Sequence, residues 1–288
     1  MIVFCGYANS DVTVRVPEMP AAGSRINAHS IVRHDGGMAA NAAFAAAKAG
    51  AATAFAGVVG GDALSDAFLG ALSRAGADVS WTARDGRLTS AVVLVGPDGE
   101  RTIISQDDDV DAAHIAATAR GLDERGGGLL YLDGYRFPQA GEALAGLRAV
   151  RCAVDLDGCT DPGAARVAAR LADHVIAGPW HAALLGPDPA EAAAEHHTTL
   201  VVTDGPRGWR LFTPGGSAHS GPAVPVATAD TTGAGDCFTG SYLARIDRGD
   251  DPVTAARYAA AAASLSCTAI GARDGIPCPD RVLALLEQ

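Results

Sequence analysis

Asp230-Thr231-Thr232-Gly233-Ala234-Gly235-Asp236-Cys237-Phe238-Thr239-Gly240 leads into a helical pattern with Phe238, Tyr242, Leu243 and Ile246 on one side. Small residues at Gly233, Ala234 and Gly235 let the backbone of the first turn come close to a ligand. The free amides there, at the positive end of the helix dipole, make a ready anion site. Thr232 is suited to cap the helix, and Asp236 falls in the first turn, beside the place an anion would occupy. Locally the same residues also read as an ordinary glycine-rich helix start whose aspartate offsets the dipole. A dinucleotide fingerprint does not fit, because Gly-x-Gly-x-x-Gly would need glycine where Phe238 stands.

Upstream, short apolar runs alternate with helical patterns. Ile2 to Cys5, Ala54 to Val59, Leu129 to Leu132, Ala153 to Leu156, His174 to Ile176 and Leu200 to Val202 read as strands. Asn41 to Ala49, stopped by Gly50, and Asp62 to Ala75 read as helices. This alternation predicts an α/β fold, a doubly wound and mostly parallel sheet with helices on both faces. About 12–34 and 88–105 break the rhythm with alternating, more exposed strand patterns. The second turns at Gly96-Pro97-Asp98-Gly99, a hairpin signal. Together they predict a small β lid on one domain spanning 1–288.

The composition excludes several functions. Among 288 residues there are 61 alanines, 21 arginines and one lysine, Lys48. Lys48 precedes Ala49 in a helical pattern, so neither a Walker A loop nor a protein-kinase strand lysine is present. Any grip on phosphate must come from backbone amides, arginine or metal. A net charge of −11 argues against nucleic acid. No run of about 18 strongly apolar residues suggests a membrane span. Six cysteines without a C-x-x-C, and no signal-peptide pattern at Met1 to Gly6, read as reduced thiols in a cytoplasmic protein.

The segment Asp230 to Asp236 resembles the Asp-Thr-x-Gly-Ala-Gly-Asp signature of the PfkB (ribokinase-like) carbohydrate kinases. Gly36-Gly37-Met38-Ala39-Ala40-Asn41 resembles that family's Gly-Gly-x-x-x-Asn helix start, and Gly6-Tyr7-Ala8-Asn9-Ser10-Asp11 its opening sugar-binding turn. The resemblance implies a ribokinase-like fold with a β lid and transfer of the ATP γ-phosphate to a sugar's primary hydroxyl. It implies Asp236 as the base, with the amides of Gly233, Ala234 and Gly235 facing the transferring group. Asn9, Asp11, Gly36, Gly37 and Asn41 then hold the sugar. Thr203, Gly205 and Gly208, from a Thr-x-Gly-x-x-Gly turn, border the nucleotide, with Cys267 and Gly271 where the family closes its adenine pocket and a monovalent-cation loop. The implied cofactors are ATP with Mg2+, and a monovalent cation such as K+.

One departure stands out. Many relatives carry Asn-x-x-Glu after a strand to organise magnesium and phosphates; here Gly178 and His181 occupy those places, so no metal ligands are assigned. Ketohexokinases and sulfofructose kinases are similar to this chain in lacking the full motif, which suggests a ketose-type sugar, fructose-like or sulfonated. Arg136, just past a strand, could bind an acidic substituent bidentately, or be one more surface arginine. The alternatives are a nucleoside or 2-keto-3-deoxygluconate kinase, or a non-catalytic sugar- or nucleotide-sensing relative. Exposed lid edges invite pairing with a second copy, so a homodimer through the lid is expected.

Overall fold

Strands that are apolar at every position need cover on both faces, and the computed structural model provides it. It describes residues 1–97, 100–144, 146–147 and 149–287, apart from the Arg101 side chain. Asp98 and Gly99 of the expected hairpin turn lie outside the described residues. The strands are β1 (Ile2–Cys5), β2 (Asn9–Arg15), β3 (Ser30–Gly36), β4 (Thr53–Ala56), β5 (Thr89–Val95), β6 (Arg101–Ser105), β7 (Gly128–Asp133), β8 (Val150–Asp155), β9 (His174–Ala177), β10 (Thr199–Thr203), β11 (Trp209–Phe212) and β12 (Ala218–Gly221). The helices are α1 (Met38–Lys48), α2 (Ala63–Ala75), α3 (Ala112–Glu124), α4 (Ala140–Ala143), α5 (Pro162–Leu171), α6 (Pro179–Ala182), α7 (Pro189–His196), α8 (Ala234–Asp247), α9 (Pro252–Ser266) and α10 (Pro279–Leu286).

The main sheet has the order β12-β11-β10-β9-β8-β7-β1-β4. Strands β10 through β4 in that order run parallel, and the short β11 and β12 add an antiparallel edge that the sequence reading did not include. A separate sheet, β3-β2-β5-β6, forms the lid. It begins earlier than expected: β2 starts at Asn9, so Asn9 and Asp11 stand on a lid strand and not in a turn after β1. Ile2 and Phe4 of β1 face the layer containing α1, α8 and α9, while Val3 and Cys5 face the layer of α3 and α5.

The alanine richness has a packing consequence. A Cβ on Gly240 of α8 would stand 2.1 Å from the carbonyl oxygen of Ala42 in α1, so the two helices pack almost backbone to backbone. Glycine and alanine alone permit that approach, which sets the first turns of both helices side by side. From β1 the chain passes through lid and α1 to β4 on one side, then returns in β7 on the other. The carboxyl ends of β1 and β7 therefore open a crevice at a topological switch point, the usual ligand position in such sheets. Tyr7 N donates to Asp133 Oδ2 across it at 2.6 Å.

Candidate active site

The helix start at the centre of the site carries no side-chain cap. Gly233 takes φ +74°, and a Cβ there would lie 2.7 Å from Ala272 Cβ, so only glycine fits. Thr232 does not cap α8 as expected: Gly233 takes the cap position, and the Thr232 hydroxyl donates to Asp230 Oδ1 at 2.7 Å. Asp230 Oδ2 also accepts from Gly271 N at 3.0 Å, pinning the 271 loop to this turn. The Ala234 amide, expected to face the transferring group, instead donates to the Thr231 carbonyl at 3.2 Å. Among the described residues, the amides of Gly235 and Asp236 find no protein acceptor. A Cβ on Gly235 would meet nothing within 4 Å, so that glycine borders open space and not a packed neighbour. The first turn of α8 thus presents bare donors and a helix dipole to a cavity.

That cavity, about 600 Å³, is lined by Thr203, Gly205, Gly208, Ala234, Gly235 and Cys267, together with apolar walls that include Phe238 and Val224. Four of the expected nucleotide-site residues therefore converge with the α8 turn. Gly271 does not: its Cβ side faces His34, and it lines a different cavity. Gly271 is tied by its amide to Asp230 beside the α8 turn and faces His34 of β3 on its other side.

Asp236 accepts a hydrogen bond from Asn41 Nδ2 at 2.9 Å, joining the first turns of α1 and α8. Burial pushes its carboxyl up to about 7, the Asn41 bond pulls it down, and the Asp157 carboxylate adds to the rise. Asn41 Oδ1 in turn accepts from Arg273 Nε at 2.8 Å. The Arg273 guanidinium also reaches the Gly36 carbonyl at 3.3 Å and Asp35 at 3.4 Å, and lies 4.7 Å from the Phe68 ring centre. Burial lowers its pKa to about 10, which leaves it charged at neutral pH. Arg273 is the residue that sequence reasoning missed. Its loop was singled out, but the partner that gives the arginine its place is 232 positions away.

At the lid end, Asn9 Nδ2 donates to Asp11 Oδ1 at 2.8 Å, while Asn9 Oδ1 is buried with no protein donor. A Cβ on Gly36 would lie 2.2 Å from Asn9 Oδ1 and 2.6 Å from Asp11 Oδ2, so the glycine makes room for both side chains. Gly37, at φ +95°, lets the start of α1 pass within 2.5 Å of Ala8 Cα, measured from where a Cβ would stand. Burial raises the Asp11 carboxyl, partly offset by Asn9 and His34. An unmet buried acceptor beside a carboxylate is what a polyhydroxyl ligand would satisfy.

Arg136 is neither an open anion receptor nor a surface residue. Its Nη1 and Nη2 donate to the two Asp108 carboxylate oxygens, each at 2.9 Å, and Nη1 also to the Val110 carbonyl at 2.8 Å. Its Nε donates to Asp133 Oδ1 at 3.0 Å. The pairing leaves the side chains 10%, 3% and 0% exposed for Arg136, Asp108 and Asp133. The expectation of an anionic substituent on Arg136 is corrected accordingly: two aspartates already fill that role.

Where relatives carry Asn-x-x-Glu, His181 Nδ1 lies 2.8 Å from Asp157 Oδ1, and Asp157 is 50% exposed. Asp155 is buried, accepting from Thr239 Oγ1 at 2.8 Å and from Asp157 N at 3.1 Å, and its burial raises its pKa well above the usual range. Among the described residues no group of three His, Cys, Asp or Glu side chains converges to cage a metal.

Comparison with known proteins agrees with this geometry. The model for the pfkB family carbohydrate kinases matches residues 1–140 and 180–279. The chain is 28% identical over 296 residues to the ribokinase of Bacillus subtilis, covering 99% of each. It is 28% identical over 299 residues to the ATP-dependent ribose-1-phosphate kinase of Halopiger xanaduensis, covering 100% of this chain and 98% of that one. The structure of Arabidopsis thaliana ribokinase complexed with ribose and ATP superposes with a TM-score of 0.83 at 25% identity, over 100% of this chain and 98% of that chain. The stretch between the two matched parts holds β8, α5 and β9 and ends just past Gly178, while His181 falls within the second matched part. With the bare α8 turn, Asp236 beside it and the Asn9–Asp11 pair on the lid, the chain belongs to the pfkB family of carbohydrate kinases.

Proposed function

We propose that the protein transfers the γ-phosphate of ATP to the primary hydroxyl of a neutral sugar, a furanose of the ribose class ahead of a fructose-like ketose. The observation that carries this is the pairing of an uncapped helix turn with a carboxylate, Asp236, whose pKa lies near 7. Asp236 accepts the hydroxyl proton as the hydroxyl attacks phosphorus. The amides of Gly235 and Asp236 donate to the phosphoryl oxygens as charge builds on them. Asn9, Asp11 and Asn41 orient the sugar, and Asn9 Oδ1 gains the donor it lacks. Magnesium arriving with ATP would supply charge neutralisation at the phosphates, and half-exposed Asp157 is the carboxylate that would hold it through its waters. Support for ribose comes from the ribokinases that match nearly the whole chain, and the sulfonated ketose loses its support with Arg136 already paired.

A coupled ADP-release assay tests this over ribose, fructose, sulfofructose, 2-keto-3-deoxygluconate and nucleosides, with and without K+. The highest kcat/KM is expected with ribose. No turnover with any of them, despite measurable ATP binding, would make the protein a sensor.

We further propose a cytoplasmic homodimer joined through the lid. Ile31, Ile103 and Ile104 are 67%, 60% and 62% exposed on the lid sheet, an unusual concentration of bare apolar side chains on one small element. Light scattering should give twice the 29.0 kDa chain mass, and Ile104→Lys should lower it toward one. A monomer in the parent protein would sink the idea.

A further inference from the structure

A second cavity, about 500 Å³, lies away from the nucleotide cavity, between lid strand β3, the last turns of α1 and α2, and the 271–274 loop. Four cationic side chains line it: Arg33, Lys48, Arg74 and Arg273. The chain's single lysine is one of them. Against them stand the Asp35 and Asp274 carboxylates, and Asp35 is already paired with Arg273 at 3.4 Å. Among the described residues, the side chains of Arg33, Lys48 and Arg74 make no hydrogen bond or ion pair with the protein. His34 also lines the cavity and adds a further ring donor or acceptor.

Lys48 and Arg74 each stand in the last turn of a helix, where a cation offsets the dipole. Dipole compensation places each near its own helix end; it does not explain why two helices and a lid strand turn unpaired cations into one concavity. Nor does composition, since the chain as a whole carries −11. In an acidic protein, an excess of unpaired cations around one open concavity of metabolite size is a receptor for an anion. Two guanidinium forks and an ammonium suit a phosphate group, which accepts bidentate donors and a point charge together.

We propose that this cavity binds a phosphate-bearing small molecule, held by Arg33, Lys48 and Arg74, at a site separate from the one that performs phosphoryl transfer. Its wall includes Arg273, which also bonds Asn41, and Asn41 bonds Asp236. An anion in the cavity therefore shares a guanidinium with the chain of contacts that ends at the catalytic carboxylate.

The test is calorimetric titration of inorganic phosphate into the full chain, saturated beforehand with a non-hydrolysable ATP analogue and magnesium so that the α8 turn is filled. Saturable binding is expected, weakened by about tenfold or more in Lys48→Gln/Arg74→Gln and unchanged in the remote control Arg257→Gln. Arg33→Gln, an exposed change on the lid, should weaken it several-fold and guards against a folding defect in the double variant. Added salt should weaken binding further. Glycerol phosphate binding more tightly than phosphate would identify an ester as the ligand, and equal binding the free ion. No saturable binding to the parent chain at tens of millimolar, or the same affinity in all variants, would overturn the site.

Discussion

Asp236→Asn should lower kcat by about 10²- to 10⁴-fold, the range a positioned general base contributes, while sugar and nucleotide affinities stay within a few-fold. Asparagine keeps the shape of the side chain and can still accept from Asn41 Nδ2, now 2.9 Å from Asp236 Oδ2, but it cannot take a proton. As the proposed base, Asp236 works in its carboxylate form, and burial pushes its pKa up to about 7. Turnover should therefore fall roughly tenfold per pH unit below that value and level off above it. Near-normal turnover in the variant would remove Asp236 from the mechanism.

The same substitution should make the protein more stable at alkaline pH. An unfolded aspartate loses its proton near 3.8, whereas burial holds this one until about 7. Between those values the unfolded chain gives up a proton that the folded chain keeps. Folding is thus penalised progressively as pH rises through that window, and in full above it. Three pH units correspond to at most about 4 kcal/mol, less for a side chain that retains some contact with water. Thermal melts should show Asp236→Asn above the parent at pH 8 and level with it at pH 4. A variant that is both inactive and stabilised marks a residue held for chemistry and not for the fold.

The parts of this design that were legible in the sequence are those written over short distances. β1 was read at Ile2 to Cys5 because burial on both faces leaves an unbroken apolar run. Asp62 was read as a helix start, and its carboxylate does accept from Ser65 N at 2.9 Å. The glycine turn of α8 was legible for the same reason, since amides, dipole and carboxylate all fall within one turn. The antiparallel edge was not, because Arg210 breaks the apolar run of Trp209–Phe212 and Ala218–Gly221 is polar. Thr232 was misread as a cap because the helix starts one residue later, with Gly233 at the cap position, and the threonine hydroxyl donates to Asp230. Arg273 escaped notice because an arginine's role depends on what faces it, here Asn41 from α1 and Asp35 from the lid.

Arg136 shows the same dependence, and with the larger consequence for stability. Arg136→Ala should cost about 3–5 kcal/mol, because it leaves two buried carboxylates facing each other without a cation. Asp133 and Asp108 are 0% and 3% exposed, so water cannot take the place of the guanidinium. Burial of Arg136 works against its charge, but the Asp133 and Asp108 carboxylates outweigh it and raise its pKa. Burial already raises the Asp133 carboxyl, and without Arg136 it would rise further. The deficit should therefore be largest at pH 8 and shrink toward pH 5, as protonation relieves the unpaired charges. Arg136→Lys should recover part of the loss, since a single ammonium replaces the charge but not the fork to Asp108. Because Asp133 also holds Tyr7 N at 2.6 Å, the damage should reach the crevice at the ends of β1 and β7. Sugar KM should rise by the same factor for neutral and anionic sugars, measured beside denaturant unfolding. A variant of near-parental stability that lost only sulfonated or phosphorylated sugars would return Arg136 to the substrate.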